Sequence, residues 1–282
     1  MRRLIIYIIA TLSLLSCESE IPFTYNSIEP IPTIQANFVL DELFSHIEVS
    51  ISSTQDVDSV LPASIVEDAE VSLTSPDGAV FPLMYDGDSL YMATIFGLPI
   101  EPLQGDFTLD VVIDEVHYSA GCELKPEAEI LEPIFYWQEV MPGLGVLMMK
   151  AMINDTAGED NYYKYKFSLQ DGAIYQQGVT SDNGMDGKVL ELYAQFNPAE
   201  ELGFITISED MAGSLYMINE GEEITITISQ IDKRPYDFIS TLGSSSSNPV
   251  CSFTGGECLG YFLVTTESTL IVNFSAENVV VL

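Results

Sequence analysis

From Thr33 to about Pro126 the chain repeats its apolar side chains with a period of two, and that period builds strands rather than helices. Ile34, Ala36, Phe38 and Leu40 fall on one face of such a strand, Ile47, Val49 and Ile51 on one face of another, and Val71 and Leu73 on a third. Turn-forming clusters punctuate them: Ser75-Pro76-Asp77-Gly78, Asp86-Gly87-Asp88, Gln104-Gly105-Asp106 and Ile113-Asp114-Glu115. Short strands at this spacing each have an apolar face to bury, which predicts a sandwich. The second half is β-patterned too, with strands expected over 134–140, 146–153, 162–169, 189–196 and 223–231. Within the last, Thr225-Ile226-Thr227-Ile228-Ser229 alternates and turns an isoleucine face inward. A single helix is predicted over 235–242, with Pro235 in its first turn and Gly243 just past its end. The final strands are expected over 261–265 and 270–274. No period of 20–50 residues recurs, which excludes solenoids and propellers.

The expected class is therefore all-β, in two units. The order Asp68-Ala69-Glu70-Val71-Ser72-Leu73, Pro76-Asp77-Gly78 and Gly105-Asp106-Phe107-Thr108-Leu109 resembles small immunoglobulin-like or prealbumin-like sandwiches. Residues 33–126 form that first sandwich. Residues 125–133 carry three glutamates and two prolines without periodicity and mark the boundary. Residues 127–282 form a second β-rich domain with long loops and one short helix.

Residues 1–16 have a different composition. Arg2 and Arg3 precede an apolar run from Leu4 to Leu15, and Leu14-Leu15-Ser16-Cys17 closes it. The run is shorter than the ~20 residues a membrane-spanning helix needs, and its layout is that of a secretory signal. A cysteine directly after Ser16 resembles the lipobox of bacterial lipoproteins. That resemblance implies cleavage before Cys17 and attachment of diacylglyceryl and N-acyl (palmitate-type) chains there, so that lipid on Cys17 holds the body on a membrane. Residues 17–32 then read as an acidic tether interrupted by Pro22, Pro30 and Pro32. Glu18 and Glu20 resemble the signal that sends Bacteroidota lipoproteins to the outer face of the outer membrane.

The formal net charge is −34. No Lys or Arg occurs between Leu4 and Leu124; beyond it stand only Lys125, Lys150, Lys164, Lys166, Lys188, Lys233 and Arg234. A field of this sign repels phosphate backbones and excludes nucleic acid as a partner. It serves solubility, or attraction of cations or a basic partner.

With Cys17 lipidated, three cysteines remain. Cys251 and Cys258 flank Ser-Phe-Thr-Gly-Gly-Glu, a loop able to close as a disulfide in an exported protein; the alternative is two free, half-buried thiols. That leaves Cys122 single, and no paired CxxC or nearby histidine completes a zinc set. Asp155, Glu159, Asp160 and Asn161 concentrate oxygen ligands suited to Ca²⁺, but their spacing is not that of an EF-hand loop, and turn chemistry explains them equally. No metal and no cofactor is assigned on this basis. Tyr162 and Tyr163 should take opposite faces of a strand, one core and one surface. Trp137, beside Phe135 and Tyr136, reads as a strand with aromatics on both faces at the domain junction. His46 and His117 are the only histidines, and nucleophile elbows, zinc-protease, P-loop and dinucleotide motifs are all missing from the sequence. No catalytic residue is assigned.

Taken together, Asn154-Asp155-Thr156-Ala157-Gly158-Glu159-Asp160-Asn161-Tyr162-Tyr163-Lys164 resembles the D-x-x-G-x-x-N-Y-Y-[RK] signature of a Bacteroidota lipoprotein family catalogued as domain of unknown function 4249. Asp182-Asn183-Gly184-Met185-Asp186-Gly187-Lys188 is similar to its second acidic-glycine turn, and Pro235-Tyr236-Asp237-Phe238-Ile239 to its short helix. Asn248-Pro249 and Gly255-Gly256-Glu257-Cys258-Leu259-Gly260-Tyr261-Phe262 resemble its closing motifs, with Cys251 and Cys258 as departures. The resemblance implies a lipoprotein encoded beside TonB-dependent outer-membrane transporters. The function expected is thus a surface-exposed outer-membrane accessory that binds or docks such a nutrient transporter, using loops 154–161, 181–188 and 243–260. The alternative is a structural or adhesive envelope lipoprotein with no small ligand. A hydrolase comes last.

Overall fold

The computed structural model describes residues 29–55, 62–98, 105–141, 144–199, 216–242 and 249–281. The proposed signal, Cys17 and most of the tether lie outside these residues, as do 243–248. Among the described residues no helix is long and apolar enough to cross a membrane.

The chain is all-β and builds two sandwiches. In the first, strands β1 (Pro32–Leu40), β2 (Phe44–Ser53), β5 (Met84–Tyr85) and β6 (Leu90–Phe96) lie in one sheet. Strands β3 (Glu70–Thr74), β4 (Val80–Pro82), β7 (Asp106–Ile113) and β8 (Val116–Glu123) form the facing sheet. The period-two faces named above meet between them. Ile34, Phe38, Ile47 and Val49 from one sheet and Leu73, Phe107 and Leu109 from the other are fully buried in one cluster. Phe38 meets Phe107 edge-on with ring centroids 5.3 Å apart. Each such side chain contributes roughly 1.5–3 kcal/mol of burial. The Asp114-Glu115 turn closes the β7–β8 hairpin, with positive φ at both residues (48° and 66°) and Ile113 opposite Val116.

The second sandwich sets β9 (Glu129–Met141), β10 (Leu144–Asn154) and β13 (Val189–Pro198), edged by β14 (Met217–Ile218) and β18 (Val280–Val281), against β11 (Tyr162–Leu169), β12 (Ile174–Ser181), β15 (Glu223–Ile231) and β17 (Ser268–Asn273). Its core holds Phe135, Trp137, Leu147 and Met149 from one sheet and Tyr163, Phe167, Ile226 and Ile228 from the other. Trp137 thus belongs to this core, on the same face as Phe135, and not to the junction; Tyr136 takes the opposite face and is half-buried.

The boundary segment 125–133, read as lacking periodicity, is strand from Glu129 on: β9 begins there, inside the second unit, and Ile130 packs on the second core and pairs with Ile153. The larger difference is β16 (Leu259–Thr266), which is assigned to 127–282 by chain position yet pairs in parallel with β1 over its whole length. The first sandwich therefore contains 33–126 and a strand returned from far down the chain. The physical reason is that Phe262 and Val264 complete the first core, while Tyr261 on the other face reaches Phe238, ring centroids 5.6 Å apart. A strand wanted on both faces cannot stay in the second sheet. Gly260 permits the close approach: its φ is +145°, and a Cβ there would stand 1.8 Å from the Ile34 carbonyl oxygen. After Glu267 the chain is already in β17, so it passes between the two sandwiches three times: into the second at β9, back to the first at β16, and into the second again at β17.

The helix α1 (Lys233–Thr241) begins two residues earlier than expected because Asp232 caps it. Its carboxylate accepts the Arg234 backbone N–H at 2.8 Å. The edge strand β12, unforeseen, is polar and half-buried, so its sequence carries no alternation.

Candidate functional site

Two crossings define one end of the second sandwich. The loop after β10 carries the chain from one sheet to the other, and the loop after β12 carries it back. Asn154 lies opposite Val189 across β10 and β13, and Tyr162 opposite Ser181 across β11 and β12. Both loops are therefore anchored at matching registers, and residues 155–161 and 182–188 lie side by side.

Asp155 is the hinge of the pair. It is buried, its Oδ1 accepts the Tyr163 hydroxyl at 2.7 Å, and its Oδ2 accepts the Gly187 backbone N–H at 2.9 Å. Asp186 answers across the gap by accepting the Gly158 N–H at 2.7 Å. The Asp182 N–H reaches the Asn161 carbonyl at 3.1 Å. Gly187 has φ +67°, and a Cβ there would meet the Ala157 Cβ at 2.6 Å, so only glycine lets the loops close this tightly. Tyr163 is core, as one of the two tyrosines should be; burial first, then Asp155, pushes its phenol well above the usual range.

Of the oxygen ligands weighed from sequence, only Asp155 is drawn into a carboxylate cluster. Asn161 is buried, but its amide is consumed by the loop itself: Nδ2 donates to the Thr156 and Glu159 carbonyls, and Oδ1 accepts from Gln230. Glu159 and Asp160 point into solvent. The group that does form is Asp155, Asp182 and Asp186, with one oxygen from each within 4.8 Å of the others. Asp182 and Asp186 belong to a turn recognised in the sequence only as an acidic-glycine motif. The spacing of the first loop could not name them, because their partner lies across a sheet register.

Asp182 is 4% exposed, and its Oδ2 has no hydrogen-bond partner. Burial raises its carboxyl above the ordinary range, the Asn161 backbone N–H opposes this, and Asp155, Asp160 and Asp186 raise it further. Beside the cluster opens a cleft of about 340 Å³. Tyr162 and Tyr236 form one wall, ring centroids 4.6 Å apart. Lys233 stands 5.8 Å over the Tyr162 ring and pairs with Asp237. The cleft thus offers stacking surfaces, one cation and an acidic floor.

The described part of the third loop, 249–260, packs on the first sandwich and not on the other two loops, with Thr254 bridging to Ser119 and Phe253 and Cys258 in the first core. Cys251 and Cys258 face each other with sulfurs 3.5 Å apart and unbonded, and Cys122 is buried alone. The contact between the two sulfurs, in which either thiol can donate, draws the Cys251 thiol below its ordinary range. His46 pairs with Glu48 on β2, and His117 with Asp110 across β7 and β8. Each is the exposed or half-exposed partner of a carboxylate on its own sheet.

No family model matches the chain, and no curated protein matches it. Among solved structures, it is similar to a two-domain fibronectin type-III segment of chicken tenascin, at 9% identity and a TM-score of 0.24, covering 86% of this chain and 99% of that one. It is also similar to dimeric latent PorU from Porphyromonas gingivalis, at 10% identity and a TM-score of 0.20, covering 87% of this chain and 21% of that one. At these scores the fold description rests on the chain's own strand order and cores.

Proposed function

We propose that this chain is a lipid-anchored outer-membrane protein, held by Cys17 and exposed at the surface, that binds or docks a TonB-dependent nutrient transporter. The observation that carries the docking part is the tyrosine-walled cleft, which two interlocked loops and the start of α1 hold at one end of the second sandwich. Loops anchored at both ends by sheet register keep a recognition surface in shape, and aromatic side chains beside a charged rim supply contact area at low entropic cost. The lipobox at residues 14–17 supports the anchor, and the resemblance to the Bacteroidota family supports the transporter as partner.

The test is a mild-detergent pull-down of the tagged, lipidated protein from native membranes, with partners identified by mass spectrometry. A stoichiometric transporter that is lost on Tyr236→Ala supports the reading. Recovery of the protein alone, together with normal nutrient uptake after deletion, overturns it and favours the structural or adhesive alternative.

A further inference from the structure

We infer that Asp155, Asp182 and Asp186 form a site for a single divalent cation of the Ca²⁺ class, which ties loop 155–161 to loop 182–188. Three observations converge. One carboxylate oxygen from each residue lies within 4.8 Å of the others. A Ca²⁺ ion holds its oxygens at about 2.3–2.6 Å, so ligands on opposite sides of it stand up to about 4.6–5.2 Å apart. Separations within 4.8 Å are compatible with all three oxygens around one such ion.

The second observation is independent of the clustering. Asp182 is almost wholly buried, and its Oδ2 meets neither a donor nor solvent. Buried carboxylate oxygens in folded proteins are nearly always satisfied, and one set beside two further carboxylates is repelled as well as unsolvated. Among the described residues no Lys or Arg forms an ion pair with any of the three aspartates. A cation removes both penalties at once.

The third is the ligand chemistry. The donors are hard oxygens only, with no His or Cys in the group, which disfavours zinc and the softer transition metals. Mg²⁺ bonds at about 2.0–2.1 Å, demands near-ideal octahedral geometry and gives up its water reluctantly, whereas Ca²⁺ accepts flexible all-oxygen sets of this kind. Asp155 and Asp186 also accept backbone N–H groups of the opposite loop, which orients them before the cation arrives. The cation would complete a junction that hydrogen bonds have already positioned.

The experiment uses the full lipidated chain in detergent, stripped with a chelator and then titrated with Ca²⁺ alone by calorimetry. In parallel, Tb³⁺ luminescence is excited through tyrosine, since Tyr163 donates directly to Asp155. One ion per chain is expected, with Mg²⁺ competing at least about tenfold less well. Asp182→Asn and Asp186→Asn should each weaken binding at least tenfold. Glu159→Gln, on the same loop but outside the cluster, should leave it within twofold, which separates a built site from diffuse attraction to a chain of charge −34. Asp186 is exposed, and an asparagine there keeps an acceptor for Gly158, so this variant should fold even if the Asp182 variant does not. A titration without a saturable one-to-one event overturns the site. So does binding weakened equally by Glu159→Gln and Asp186→Asn.

Discussion

Asp232 is the residue on which the two sandwiches lean together, and Asp232→Ala should destabilise the protein by about 2–4 kcal/mol. The carboxylate serves three partners. It caps α1 through the Arg234 N–H, it accepts the Glu123 N–H of β8 at 3.1 Å, and it binds the Arg234 guanidinium, which also forks onto Asp106 of β7 at 2.8 and 3.0 Å. Loss of an aspartate cap costs about 0.5–2 kcal/mol. Loss of the acceptor for a partly buried amide costs about 0.5–1.5 kcal/mol. The ion pair adds about 1 kcal/mol, because the Asp232 side chain is 8% exposed but its Arg234 partner is 41% exposed. The Arg234–Asp106 arm is open on both sides, at 41% and 42% exposure, so Asp106→Ala should cost under about 1 kcal/mol. Urea unfolding measures the difference, followed by Trp137 fluorescence for the second sandwich and far-ultraviolet circular dichroism for both.

The pH dependence has a definite sign. Burial alone would raise the Asp232 carboxyl, but hydrogen bonds from the Arg234 side chain and backbone and from Glu123 outweigh it and hold it below the ordinary range. A depressed folded-state pKa contributes stability above the unfolded value and loses it as pH falls through the folded one. The wild-type advantage over Asp232→Ala should therefore be full at pH 7 and shrink below about pH 4. An Asp232→Ala cost no larger than that of Asp106→Ala, or one unchanged between pH 7 and pH 3, would refute the clamp.

The cysteines and the parallel strand supply further predictions. With its thiol drawn down by the contact with Cys258, Cys251 should be alkylated at neutral pH in the native protein, whereas Cys122, buried and pushed well up by desolvation, should react only on unfolding; mass spectrometry of the modified peptides decides. Mild oxidation should join Cys251 to Cys258, visible as a loss of two hydrogens and a stability gain of about 2–3 kcal/mol that dithiothreitol reverses. Gly260→Ala should cost at least about 2 kcal/mol in urea unfolding, because its Cβ would fall on the Ile34 backbone. A smaller cost would mean that β16 can part from β1 without loss.

The first sandwich was legible because its strands bury one face each, so the period of two survives in the sequence. Ile34 to Leu40 and Ile47 to Ile51 needed nothing else. β16 was hidden for the opposite reason. Buried at Tyr261–Phe262–Leu263–Val264 on both faces to differing degrees, it shows an apolar run that says "strand" but not which sheet, and a parallel partner more than 200 residues away leaves no local turn to mark it. The edge strand β12 was hidden because one hydrogen-bonded neighbour and a half-wet surface impose no pattern.

The candidate site shows the same division. Each loop announced itself by composition, yet the carboxylate cluster that forms between them could not be read from either loop alone. Within 154–161 the residues closest in sequence, Glu159 and Asp160, face solvent, and Asn161 spends its amide on the turn. The residues that meet Asp155 are 27 and 31 positions further on. They arrive there because β11 pairs with β12 and β10 with β13, and a shift of one residue in either register would turn Asp182 or Asp155 to the other face. Tyr163 binds register and site together: its ring fills the second core while its hydroxyl orients Asp155. A substitution that disturbs the packing of that core should therefore be felt first in the geometry of the acidic cluster, before it is felt in the fold.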